Sequence, residues 1–68
     1  MEIAKVDHRG AQIMLLAEEA VIISNALNEV CNGLDVEEFS TRIGARTDEV
    51  RVILKQFNEL CDRMIGDA

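Results

Sequence analysis

Between Val50 and Met64 the apolar residues Val50, Ile53, Leu54, Phe57, Leu60, Cys61 and Met64 follow one another at intervals of 3, 1, 3, 3, 1 and 3. This is the spacing of one continuous face of an α-helix, so the end of the chain reads as a helix to about Ile65, and some other surface must bury that face. Thr47 stands where an N-cap belongs, and Asp48 and Glu49 put negative charge into the first turn, where the helix dipole favours it. Positions 50, 53, 57, 60 and 64 also satisfy an a/d heptad. About two heptads fall short of the three or four that argue a coiled coil, so packing within the chain is preferred to a dimer seam.

The surface that covers this helix has to come from a small chain. With 68 residues there is one domain and one core, and a chain this short buries only about 60% of the surface its unfolded form exposes. Proline is absent, so the four glycines supply most of the punctuation. Gly10 closes the polar stretch Asp7-His8-Arg9-Gly10 between EIAKVD and AQIMLL, which suggests a hairpin loop with glycine in a left-handed conformation. Because Met and Leu outnumber β-branched residues in AQIMLL, one helix over residues 11 to 32 is the rival reading. Further on, Leu16, Ala20, Ile23, Leu27 and Val30 share a helical face, and Gly33 stands at the left-handed C-terminal position. Asp35 and Glu38 then form a capping-box pair, with Leu34 and Phe39 as hydrophobic staple, so the next helix is expected from Asp35 to near Ile43, with Gly44 as its stop. The expected architecture is α+β: a hairpin over 1–16, a central helix over 17–32 and a helix-turn-helix-like pair over 35–65. An all-α bundle is the alternative.

Composition excludes several function classes. Hydrophobic residues make up 49% of the chain and charged residues 29%, too apolar for a disordered tail and too charged for a membrane protein. No apolar run approaches the ~20 residues that span a bilayer, and Met1-Glu2-Ile3 begins neither a secretory signal nor a basic transit peptide, so the expected location is cytoplasmic and no membrane partner is expected. Cys31 and Cys61 stand thirty residues apart with one histidine in the chain, which matches no zinc or redox spacing, and they read as buried thiols. Neither cysteine has a histidine close in sequence, and apolar burial suppresses thiolate formation. His8 beside Asp7 reads as an exposed turn residue rather than a dyad. Glu18-Glu19 and Glu37-Glu38 are adjacent pairs whose side chains point about 100° apart on a helix. With no phosphate loop, EF-hand or HExxH stretch, the expectation is a non-enzymatic protein with no metal, cofactor or small-molecule substrate.

Two binding readings remain, and charge weighs on both. In a helix-turn-helix arrangement Phe39 and Ile43 would bury one face of the first helix, Ser40 would allow close helix approach, Gly44 would make the turn, and Val50 and Ile53 would bury the second helix. The net charge is -6, yet residues 39–57 hold Arg42, Arg46, Arg51 and Lys55 against Asp48 and Glu49, a local +2 that leaves -8 elsewhere. A DNA-binding regulator would place those four cations on phosphates and Thr47 nearest the bases. Against this, Asp48 and Glu49 would occupy the entrance of the recognition helix, where carboxylates meet phosphates and base acceptors. Protein binding is therefore preferred. Asn25, Asn28 and Glu29 form a polar patch beside Val21 and Ile22, which widen the apolar face of the central helix. Asparagine is a poor residue inside a helix unless its side chain finds a partner, so these five residues are the expected partner-binding face, on a regulatory protein expected to form a homodimer. A third reading makes the acidic remainder a nucleic-acid mimic that inhibits a basic partner.

NALNEVCNG at residues 25–33, followed by EFSTRIGA at residues 38–45, resembles a group of short bacterial proteins of unassigned function. In those proteins a small N-terminal hairpin precedes a NALNEV-type helix and an EFxTRxG helix-turn-helix-like segment. The resemblance implies a fold outline over about residues 3–60 and carries no activity, cofactor or site residue.

Overall fold

The computed structural model describes residues 1–66. The chain is a small α+β protein: strands β1 (Glu2–Asp7) and β2 (Gly10–Met14) form an antiparallel hairpin, followed by helices α1 (Ala17–Asn28), α2 (Phe39–Ile43) and α3 (Thr47–Gly66). Helix α1 runs into one π-helical turn at Glu29–Gly33. Gly10–Met14 being a strand excludes the all-α alternative.

A carboxylate, rather than a left-handed glycine, makes the hairpin turn. Asp7 Oδ1 accepts the backbone N–H groups of Arg9 at 2.7 Å and Gly10 at 3.2 Å, an Asx-type turn that closes the two-residue loop His8-Arg9. Among the described residues only Glu38 and Gly44 take positive φ, so the expected left-handed Gly10 is corrected. The pairing Glu2 to Met14 and Ile3 to Ile13 slips by one residue before Lys5 to Gln12, Val6 to Ala11 and Asp7 to Gly10, leaving Ala4 as an extra residue in β1. This β-bulge decides which side chains share a face. In a regular strand Ile3 and Val6, an odd number of positions apart, would point to opposite sides. With Ala4 interposed, Ile3, Val6, Ala11 and Ile13 line one face, and Glu2, Lys5, Asp7, Gln12 and Met14 line the other.

Helices α1 and α3 pack antiparallel. The Ser24 hydroxyl donates to Asn58 Oδ1 at 2.5 Å, while one turn beyond α1 the Arg51 guanidinium donates to the Cys31 carbonyl at 3.3 Å. Cys31, Val50 and Leu54 form the core cluster, with Leu27, Phe39 and Ala45 packed against it, and Ala20 is fully buried. Cys61 lies ten residues along α3 from Arg51, roughly 15 Å at 1.5 Å per residue, so the two free cysteines stand well apart.

The start of α1 is tied to the hairpin by one carboxylate. Glu19 Oε2 accepts the Met1 ammonium at 2.6 Å, and its Oε1 accepts the Leu16 backbone N–H at 3.0 Å. The ammonium first and the backbone donor second hold the Glu19 carboxyl below its usual pKa. A carboxylate whose folded-state pKa is depressed stabilises the fold above its ordinary pKa and loses that contribution as pH falls through the depressed value. Glu19→Gln should therefore narrow the difference in urea midpoint between about pH 7 and pH 3, measured by circular dichroism, relative to the parent chain.

Several helix boundaries differ from the expectations, each for a local reason. The central helix was expected to end with Gly33 left-handed. Instead the Leu34 N–H donates to the Glu29 carbonyl at 2.8 Å across five residues, closing the π turn. Gly33 is needed there for space, because a Cβ would run into the Glu29 carboxylate lying over it. Helix α2 starts at Phe39 rather than Asp35: Glu38 takes φ 50°, and its carbonyl accepts from Thr41 and Arg42 at 3.0 and 3.1 Å, while Leu34 is extended and exposed. The staple is absent because Phe39 packs on the core instead. A left-handed non-glycine residue costs roughly 1–2 kcal/mol, and the bend it makes delivers Phe39 to that core. Thr47 is the first helical residue rather than the cap; Glu49 Oε1 accepts the Arg46 N–H at 3.0 Å in its place. Gly44, at φ 90°, ends α2 as expected, its N–H donating to the Ser40 carbonyl at 2.9 Å. Of the residues expected to bury the helix-turn-helix pair, Ser40, Ile43 and Ile53 are exposed, because α2 has only five residues and its contribution to the core is Phe39.

Candidate interaction surface

The molecule is thin and open for its mass. A compact chain of 68 residues has a radius of gyration of about 11 Å; this one measures 13.5 Å, with extents of 37 × 31 × 16 Å. Its shortest dimension is little more than one helix with its side chains, about 10–12 Å across. A folded monomer of this mass exposes about 4,300 Å². The chain, at 7.6 kDa, exposes 5605 Å², an excess of about 1,300 Å². Globular domains bury their apolar faces between two packed layers, and here a single layer holds them.

The excess is apolar and lies in identifiable places. Every residue of the hairpin is exposed, including Ile3 at 70%, Val6 at 67% and Ile13 at 46%. These three, with Ala11, make up the apolar face that the Ala4 bulge assembles. Sequence reasoning missed this face, because period-2 counting over EIAKVD sends Ile3 and Val6 to opposite sides.

On α1 the five residues expected to bind a partner are all exposed. Ile22, 66% exposed, and Asn25 stand about 200° and 140° round the helix from buried Ala20, facing away from α3. Val21 lies between this outer side and the α3 contact. Asn28 is turned toward the π turn, where its Oδ1 accepts from Asn32 Nδ2 at 3.0 Å, and the Glu29 carboxylate covers Gly33. The outer face proper therefore centres on Ile22 and Asn25. Ser24, in the same polar run, is buried and spent on Asn58.

The basic residues expected to meet phosphates are divided. Arg46 pairs with Asp48 at 3.4 Å and with Glu49 at 3.3 Å. Arg51 caps the Cys31 carbonyl at 3.3 Å and reaches Asn32 Oδ1 at 3.4 Å, satisfying backbone that the π turn leaves open. Thr47 is half-buried at the start of α3. Among the described residues Arg42 and Lys55 make no ion pair, so two of the four cations are held within the chain and two are not.

Catalytic and metal chemistry find no assembled constellation among the described residues. No group of three or more His, Cys, Asp or Glu side chains is placed to hold a metal ion. The Asp7 carboxylate beside His8 is engaged by the turn's own N–H groups, and the concave surface next to it, lined by Lys5, Asp7, Arg9 and Gln12, is formed entirely by exposed residues. No described helix is long and apolar enough to cross a membrane. Comparison of the chain with protein-family models, with curated proteins and with solved structures finds no match.

Proposed function

We propose that this chain works by binding protein, as a small non-enzymatic interaction module. The observation that carries the reading is the excess of about 1,300 Å² of exposed surface over a monomer of this mass, much of it isoleucine and valine on a single-layer fold. An apolar surface of that extent costs solubility and stability unless another chain covers it. The outer face of α1, with Ile22 and Asn25 at its centre and Val21, Asn28 and Glu29 around it, supplies the mixed apolar and polar character of a partner-binding patch.

Affinity capture with the parent chain and with an Ile22→Lys, Asn25→Ala variant tests the α1 assignment. A protein held by the parent and lost by the variant is the expected result. Equal capture together with equal self-association would sink the assignment. The same reading expects no salt-dependent affinity for a random DNA duplex, since Arg46 and Arg51 are already partnered and Asp48 and Glu49 flank Thr47 at the start of α3.

A further inference from the structure

We propose that a second copy of this chain covers the apolar face of the hairpin, so that residues 2–14 serve as a dimerisation arm. The inference rests on the reading that the chain associates with protein, and it names both the partner and the place. An isolated two-stranded hairpin is marginally stable in water and needs a further layer against its apolar face. The chain's own helices do not provide that layer, since every residue of both strands is exposed.

The area fits a second copy. Stable pairwise interfaces bury about 800 Å² on each partner, and obligate homodimers more; the excess of about 1,300 Å² per chain falls in the homodimer range. Charge selects the face. A chain of net charge -6 repels its own copy wherever carboxylates would meet. The face made by Ile3, Val6, Ala11 and Ile13 carries no ionisable group, whereas the opposite hairpin face carries Glu2, Lys5 and Asp7, and Glu29 flanks the outer side of α1. Two copies related by a twofold axis can therefore bring the Ile3, Val6 and Ile13 faces into one interface without setting like charges against each other.

Sedimentation velocity of the parent chain and of an Ile3→Thr, Ile13→Thr variant provides the test, because threonine keeps strand propensity while removing apolar surface. The parent should be dimeric at about 50 µM, and the variant's dimer dissociation constant should rise by at least about tenfold. Ile22→Lys should leave the dimer constant unchanged. A monomeric parent would overturn the inference, as would an unchanged constant in the hairpin variant. A dimer weakened by Ile22→Lys and not by the hairpin changes would overturn it too, while leaving the broader protein-binding reading standing. A second measurement does not depend on how the variant folds: isotope-filtered NOE spectra of mixed labelled and unlabelled parent chain should show intermolecular contacts to the Ile3, Val6 and Ile13 methyls. A dimer without such contacts would refute the arm.

Discussion

Leu54→Ala should abolish cooperative unfolding at micromolar concentration, or reduce it to a broad transition with a much lower midpoint. Leu54 is 7% exposed and is the largest of the three residues in the buried cluster with Cys31 and Val50. Truncating a core leucine to alanine costs about 2–5 kcal/mol, made up of lost transfer energy and the cavity left behind. A chain of 68 residues has about 3–10 kcal/mol of total stability at 0.05–0.15 kcal/mol per residue. The loss is thus of the same size as the whole, and little else is available to compensate, because Leu27, Phe39 and Ala45 are only partly buried around the cluster. Val52→Ala, on the exposed side of the same helix, should stay within about 0.5 kcal/mol of the parent. Urea titrations followed at 222 nm compare the two. Equal losses would mean that the stabilising contacts of α3 are not those made by Leu54.

The melting temperature should rise with protein concentration, by about 5 °C for each tenfold increase. If folding and association are one equilibrium between a dimer and two unfolded chains, a tenfold change in concentration contributes about 1.4 kcal/mol per dimer. The unfolding entropy of a dimer of 68-residue chains is about 0.29 kcal/mol/K at 2.1 cal/mol/K per residue, and the ratio of the two gives the shift. A stable monomer gives no such dependence. Scanning calorimetry across a hundredfold range therefore asks how much of this protein's stability resides between chains, as the small core and large exposed surface indicate. A flat melting temperature would leave the exposed isoleucines and valines without a stabilising role in solution.

The elements were legible in the sequence where a single local device fixes them. The Asp7-to-Gly10 turn, the Gly44 stop, the acidic first turn of α3 and the long apolar stripe after it all appear where the residues suggest. What escaped was settled by more than one segment. The capping-box pair Asp35 and Glu38 describes a local helix start, but Phe39 reaches the core only if the helix begins at Phe39 itself. The π turn adds a residue without changing the apolar pattern, so Gly33 looked like an ordinary helix end. Arg51 reads as a free cation until the open Cys31 carbonyl is known. Hydrophobic periodicity states that a residue seeks burial; it does not state which chain will bury it. Ile53 belongs to the α3 stripe and lies exposed, and Ile3 and Val6 were assigned to no common face.

The extra residue in β1 carries information of an unusual kind. Ala4 has no partner across the hairpin, and its own side chain is exposed, so most residues could stand in its place. Its presence, however, sets the phase of everything before it: remove it, and Ile3 turns to the side of Lys5 while Val6 stays where it was. Position 4 is thus a spacer whose count matters and whose chemistry does not, and a loss of one codon there would do more to this protein than almost any exchange of letters.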